Sequence, residues 1–344
     1  MYSRIFILCY LLASIPNFAQ EKNVLSWHNP IREGLPKYGM KDFYIMVEDS
    51  TYFLLGTSYK DPYRFNNKAL RLYESNNFQE WTVSSILLDL ERLDSSSWYK
   101  HVISAPEIHR IRNRYYLTFN GRNDSINPYG KLGFGIAVAD KLKGPYRVLN
   151  TSKPLVETNH AGLVTDPDNQ TFLYYDMDGR IYMAPINLET AALVEDPKEI
   201  LGPINLKENY KYLDAPNITK VGETYHLLVS QFFGGYRVLV NHLTANHPMG
   251  PWVWEQSNPI YEWLESEADL KVKNRYPEAN GYAPPTQVIF SNTLFEGISG
   301  GFFIAYHSSE KYSEPYLCIE PVIVEEHKIE PLNPKAINQM IIIP

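Results

Sequence analysis

Three segments of the chain are versions of one another. Asp42-Phe43-Tyr44-Ile45 leads to Tyr52-Phe53-Leu54, Ala105-Pro106-Glu107-Ile108 to Tyr115-Tyr116-Leu117, and Ala215-Pro216-Asn217-Ile218 to Tyr225-His226-Leu227. In each, the opening residue precedes the first aromatic by ten positions, and Ile and Leu keep the same offsets. A fixed register of this kind restricts the chain to architectures that repeat one unit, a propeller or a solenoid, in which every unit delivers equivalent positions to one place.

The repeating unit is made of strands. Short apolar runs rich in Ile, Val, Tyr and Phe end in turn chemistry, and 52–56, 115–119, 172–175, 225–229 and 302–306 are the clearest. Each follows a polar or Gly-containing turn such as Arg112-Asn113-Arg114, so each reads as the second strand of a hairpin whose first strand begins at the repeated motif. A third strand follows in several units, and Gly144-Pro145-Tyr146 and Gly250-Pro251-Trp252 mark equivalent turns. Five second strands give about 64 residues per unit, the size of a four-stranded propeller blade with its loops. The expected architecture is all-β, a five-bladed β-propeller forming a single domain over residues 21–344. A jelly-roll sandwich would leave the shared register without a cause. The longest irregular stretch, 262–285, is expected to be a loop over one face.

Residues 1–20 read as a cleaved secretory signal. Arg4 supplies the positive start, an apolar core over 5–13 is too short to span a bilayer, and Asn17-Phe18-Ala19 ends in a small residue. Leu8 before Cys9 does not suit a lipoprotein site. The mature chain is therefore expected to be exported, periplasmic or secreted, without membrane insertion. Its net charge is −7, or −8 once Arg4 is removed, and with no basic stripe the chain is not expected to bind nucleic acid. Only Cys318 then remains, so no internal disulfide can form, and it reads as a buried apolar residue. Most of the 26 tyrosines are strand residues.

Two copies of the repeat carry a carboxylate at or beside the opening position, Asp42 and Asp214. Carboxylates converging on one pocket are what glycosidic bond cleavage needs. The motifs, taken in order, are Lys41-Asp42-Phe43 with a strand ending Gly56-Thr57, Ser104-Ala105-Pro106-Glu107, Asp214-Ala215-Pro216-Asn217-Ile218-Thr219-Lys220, and Tyr306-His307. They resemble the five-bladed β-propeller glycosidases of glycoside hydrolase family 43 and its relatives, whose blades carry Ala-Asp-Pro with Gly-Thr, Trp-Ala-Pro, Glu-Gly-Pro followed by Lys, and Tyr-His. Ser75 with Trp81 and the Gly-Pro-aromatic turns also fit, and the likeness covers nearly the whole mature chain.

The resemblance implies an exported inverting glycoside hydrolase acting on polysaccharide-derived oligosaccharides, with arabinofuranosides or xylosides the usual substrates. It places Asp42 as general base and Asp214 as general acid, where the family normally has Glu. The family's third carboxylate falls at Asn159-His160-Ala161, so His160 is a candidate to modulate charge or to donate the proton itself. Asp166 is the alternative modulator, with a β-turn cap as its competing role. Candidate substrate contacts are Trp98 as a stacking platform, Glu107 for a sugar hydroxyl, Arg237 for sugar hydroxyls or a substrate carboxylate, and His307 along the central channel. No cofactor is required and no metal is predicted, although a structural calcium is compatible with the family. A monomer with a carbohydrate substrate is expected.

Two other functions fit the same residues. One is a carbohydrate-binding propeller without catalysis, motivated by the shortened acid and the missing third-blade aspartate. The other is a divergent propeller glycosidase using His160 as acid on an unusual sugar. The chain has no phosphate-cradling Gly loop, no His-Glu-x-x-His and no Gly-x-Ser-x-Gly, which removes nucleotide enzymes and the common protease motifs.

Overall fold

The computed structural model describes residues 23–61, 64–65, 68–126, 130–202, 211–233, 237–264, 288–309, 315–334 and 338–343. The proposed signal lies outside these residues. Nearly all regular structure is β. Among the described residues the sole helical element is a 3₁₀ turn at Leu90–Arg92, and no helix is long and apolar enough to cross a membrane.

Five antiparallel sheets follow one another along the chain as five blades. Blade one is built on Met40–Glu48, Thr51–Asp61, Ala69–Ser75 and Thr82–Asp89; blade two on Val102–Ile111, Arg114–Arg122, Gly133–Ala139 and Arg147–Val148. Blade three contains Ala161–Thr165, Thr171–Met177, Arg180–Asn187 and Lys198–Leu201; blade four Lys211–Val221, Thr224–Phe233, Arg237–Ala245 and Tyr261–Leu264; blade five Val288–Glu296, Phe302–Ser309, Tyr316–Glu325 and Lys328–Pro331. The first strands of successive blades neighbour one another and close a ring. The terminal strands Asn23–His28 and Asn338–Ile343 pair with each other. Trp27 enters the core between blades five and one, where its Nε1 donates to Ile319 O at 3.0 Å.

The repeated Tyr and Leu have a packing cause. Successive side chains of a strand point to opposite faces, and each blade is covered on both faces by its neighbours. Tyr52 and Leu54 face blade five, Tyr115 and Leu117 face blade one, and Tyr225 and Leu227 face blade three. On the opposite face of the same strands, Phe53, Tyr116 and Leu228 point to the following blade. Five apolar clusters therefore fill the five interfaces, and each fully buried Leu contributes about 1.5–3 kcal/mol. Ile45, Ile108 and Ile218 join the same clusters as the Tyr and Leu of their copy.

The opening residue of the motif does not begin the first strand, as the sequence reading expected. The strands start two to four residues earlier, and the motif is a β-bulge inside them. Pairing shifts between Lys41 and Tyr44, Ser104 and Glu107, and Asp214 and Asn217, with Asp42, Ala105 and Ala215 at φ of 53°, 44° and 50°. A fourth copy occurs at Ser291 (φ 57°), between Phe290 and Thr293. A left-handed non-Gly residue costs about 1–3 kcal/mol and is retained where the surroundings hold it. Blade three has no bulge, and its first strand runs straight from Ala161. Gly162 is needed there, because a Cβ would lie 2.2 Å from the Tyr174 hydroxyl and 2.3 Å from Glu107 Oε2.

The expected irregular stretch at 262–285 is corrected at its start. Tyr261–Leu264 is a strand paired to Arg237–Val240, and 265–285 lie outside the described residues.

Candidate active site

The residue before the bulge and the residue paired with it on the second strand recur in every blade. These couples are Lys41 with Thr57, Ser104 with Asn120, Asp214 with Ser230, and Phe290 with His307. In blade three the corresponding couple is His160 with Asp176, joined by the Asp176 N–H donating to His160 O. The fivefold register thus brings one buried polar layer together, and its charged members are Lys41, Asp42, His160, Asp176 and Asp214.

His160 occupies the middle of this layer. Its Nε2 lies 3.2 Å from Asp42 Oδ1 and its Nδ1 lies 2.9 Å from Asp214 Oδ1. One imidazole therefore spans the gap between the two carboxylates and places these oxygens no more than about 8 Å apart, short of the upper end of the roughly 6.5–9.5 Å separation of an inverting pair. Both oxygens of Asp42 are engaged: Thr57 Oγ1 donates to Oδ2 at 2.8 Å, Lys41 Nζ lies 3.5 Å from the same atom, and Ser291 Oγ donates to Oδ1 at 3.3 Å. Thr57 in turn accepts the Ala105 N–H at 2.8 Å, tying the bulges of blades one and two together.

Asp176 approaches from the other side. Its Oδ1 accepts from Thr158 Oγ1, Asn159 N and His160 N at 3.0, 3.0 and 2.8 Å, while its Oδ2 lies 3.9 Å from His160 Nδ1. The backbone before blade three is thereby wrapped around this carboxylate, and Asn120 Nδ2 also donates to Asn159 O.

The electrostatics separate the carboxylates. Burial raises the Asp214 carboxyl and the negative charge of Asp176 raises it further, to about 7. Burial would also raise Asp42, but the Lys41 ammonium and the His160 imidazole outweigh it and hold Asp42 well below the usual carboxylate range. Burial opposes a charge on His160, yet Asp214, Asp176 and Asp42 together keep its pKa well above the ordinary imidazole value. Burial also opposes ionisation of Asp176, whose hydrogen bonds with Asp214 and His160 bring it down to about 2. Side-chain exposure is 2% for Asp42 and 3% for Asp176, against 12% for His160 and 14% for Asp214. Asp214 is therefore the carboxyl whose pKa is raised toward neutrality and the least buried of the three.

The other candidates are placed as follows. Trp98 lies against Phe119 with ring centroids 6.0 Å apart, and its Nε1 donates to Asn150 O at 2.8 Å; it packs with the core between blades one and two rather than joining the charged layer. Glu107 borders the same cavity as Asp42, but its Oε2 is engaged by the Tyr174 hydroxyl at 3.0 Å and by His109 Nε2 at 3.1 Å. His307 is buried beside Phe290 at 5.0 Å, and burial lowers its pKa to about 3. Arg237 opens a blade-four strand, and its side chain lies outside the described residues. Asp166 caps its own turn, accepting the Gln170 N–H at 2.7 Å, away from His160.

Sequence reasoning missed Asp176 and Ser291. Asp176 stands five residues after Thr171, just as Thr57 and Asn120 stand five after Tyr52 and Tyr115, so extending the register along the second strands would have found it. A cavity of about 10 Å³, the size of one water, lies beside Asp42, His160 and Asn292. Both amide atoms of Asn292 are without a partner among the described residues.

The extracellular endo-α-(1→5)-L-arabinanase 2 of Bacillus subtilis is 23% identical, over 96% of this chain and 74% of its own length. Among solved structures, a thermostable family-43 glycoside hydrolase superposes with a TM-score of 0.68 at 20% identity, covering 90% of this chain and 97% of its own. An endo-arabinase from Bacteroides thetaiotaomicron gives 0.62 at 20% identity, covering 86% and 99%. An endo-1,4-β-xylanase from the same organism gives 0.64 at 18%, covering 86% and 95%. The model of the glycosyl hydrolases family 43 matches residues 28–322, a span that contains the first four blades, most of the fifth and every member of the charged layer. The chain belongs to that family and is a glycoside hydrolase.

Proposed function

We propose that the protein is an exported, monomeric, inverting hydrolase of arabinofuranosyl or xylosyl oligosaccharides. Asp42 is the general base and Asp214 the general acid. The observation that carries this reading is the single imidazole contacting both Asp42 and Asp214, because it holds the two carboxylates at one site within the upper limit of separation for an inverting pair. Asp214 gives its proton to the leaving oxygen while Asp42 takes one from the attacking water, so the product leaves with inverted configuration. Asp176 supplies the like charge that keeps Asp214 protonated, the part a third carboxylate plays in relatives. His160 orients both carboxylates. The arabinanase and xylanase names among similar proteins support the substrate class, and the extracellular relative supports export.

The test is a panel of arabino- and xylo-oligosaccharides assayed with Asp42→Asn and Asp214→Asn. Each variant is expected to lose about 10²–10⁴-fold in kcat. Wild-type-like hydrolysis by Asp42→Asn would remove the base assignment. A second reading, His160 as acid with Asp214 as its partner, is favoured by the 2.9 Å contact between them. Aryl glycosides with leaving groups that depart unprotonated separate the two: if Asp214 is the acid, Asp214→Asn keeps much of its rate on these and His160→Gln shows no such rescue.

A further inference from the structure

We propose that His160, Asp176 and Asp214 form a binding site for a divalent transition-metal ion of the zinc type, and that occupation of this site switches hydrolysis off. One ligand atom from each residue can be chosen so that all three lie within 4.8 Å of one another. An imidazole nitrogen with two carboxylate oxygens is a donor set suited to zinc, leaving further positions for water. Ligand bonds of about 2.0–2.2 Å call for donor atoms somewhat over 3 Å apart. The contacts of His160 Nδ1 to Asp214 Oδ1 at 2.9 Å and to Asp176 Oδ2 at 3.9 Å bracket that spacing.

The surrounding contacts hold these donors in a ligating pose. Asp42 faces His160 Nε2, so a proton on that nitrogen is held by a carboxylate and Nδ1 is turned toward the other two residues. This is the carboxylate–histidine–metal arrangement that orients a ligand imidazole and raises its basicity. Asp176 has its Oδ1 fixed by three donors, which aims Oδ2 at the cluster. The charge balance also suits a dication, since three carboxylates surround one imidazole and Lys41. Calcium and magnesium prefer oxygen-only shells and are disfavoured by the imidazole.

In the ion-free site a proton lies between Nδ1 and Asp214; the ion takes its place and that proton passes to solvent. With Asp214 held as a ligand, no proton reaches the leaving oxygen. The inhibitory consequence rests on the proposed role of Asp214 as acid, whereas the binding itself does not.

The experiment is calorimetric titration of zinc chloride into the intact protein, with magnesium and calcium chloride as controls, alongside anomalous scattering at the zinc edge from zinc-soaked crystals. The expected result is one ion at the three residues, with little binding of the hard cations. His160→Gln and Asp214→Asn should each weaken it at least tenfold, and Asp42→Asn, which alters only the supporting carboxylate, by about 10–100-fold. The anomalous map distinguishes this site from the stacked His226–His242 pair, whose Nδ1 and Nε2 are 2.9 Å apart. An ion located only at that pair, or unchanged affinity in the variants, overturns the proposal. Both binding readouts are independent of turnover, and hydrolysis assayed in parallel with and without zinc separates the two claims: zinc bound at the three residues without inhibition would overturn the switch and count against Asp214 as acid, and hydrolysis without zinc binding would count against the metal site alone.

Discussion

Replacing Asp176 with Asn perturbs the proposed acid, Asp214, through its neighbour. The amide keeps a carbonyl oxygen where Oδ1 accepts from Thr158, Asn159 and His160, so the turn before blade three stays satisfied. What disappears is the negative charge beside Asp214, together with the carboxylate oxygen that hydrogen-bonds to it. Within the 4.8 Å that bounds these atoms, two unit charges interact by about 3.5 kcal/mol at an effective dielectric near 20. That corresponds to about 2.5 pH units. His160 shares the charge of Asp176, so the expected fall in the Asp214 pKa is roughly one to two units. In the wild type the proposed acid must be protonated, so activity is expected to fall as pH rises through about 7. In Asp176→Asn this alkaline limb moves to lower pH. The assay is kcat/KM against pH, which reports the free enzyme, on an unactivated oligosaccharide, since a nitrophenolate departs without needing a proton. A limb that moves by less than a few tenths of a unit would refute the assignment of Asp176 as the charge that sustains the acid.

Two further outcomes follow from the buried hydrogen bonds. Thr57→Val keeps the side-chain shape but removes the donor to Asp42 and the acceptor for the Ala105 N–H. Chemical denaturation should show a loss of about 1–3 kcal/mol, together with reduced kcat/KM; unchanged stability would mean that the link between the first two bulges is dispensable. Glu320, fully buried between blades four and five, accepts from the hydroxyls of Tyr261 and Tyr306 at 2.7 and 2.6 Å. Glu320→Gln should lower stability by about 1–3 kcal/mol while leaving the pH profile of activity in place, and a shifted profile would tie this pair to the site.

Much of the fold was legible because one structural demand recurs. The Tyr and Leu at fixed offsets fill the interface with the preceding blade, so spacing revealed the repeat, whereas the bulge at the motif ahead of them, read from the sequence as a strand start, appeared only in the pairing register. The copies that escaped notice are those in which geometry altered the count. At Ser291 a longer turn shifts the first aromatic, Phe302, to eleven positions on, and blade three lacks the bulge altogether. Asp42 and Asp214 lie on the repeated strand and could be seen. Asp176 was hidden because it reaches the same layer from the second strand, where other blades place Thr57, Asn120, Ser230 and His307. Trp98 and Glu107 show a different limit. A tryptophan in a polar loop reads alike whether it stacks on a sugar or on Phe119, and only tertiary contacts reveal that Tyr174 and His109 engage the Glu107 carboxylate.

The central claim is that Asp42 and Asp214 flank the scissile bond with room for a water between them. Proton NMR of the first product released from an oligosaccharide whose anomeric configuration is known tests it directly. The new reducing end is expected first in the opposite configuration, equilibrating only later. A first-formed product that keeps the configuration of the substrate would contradict it.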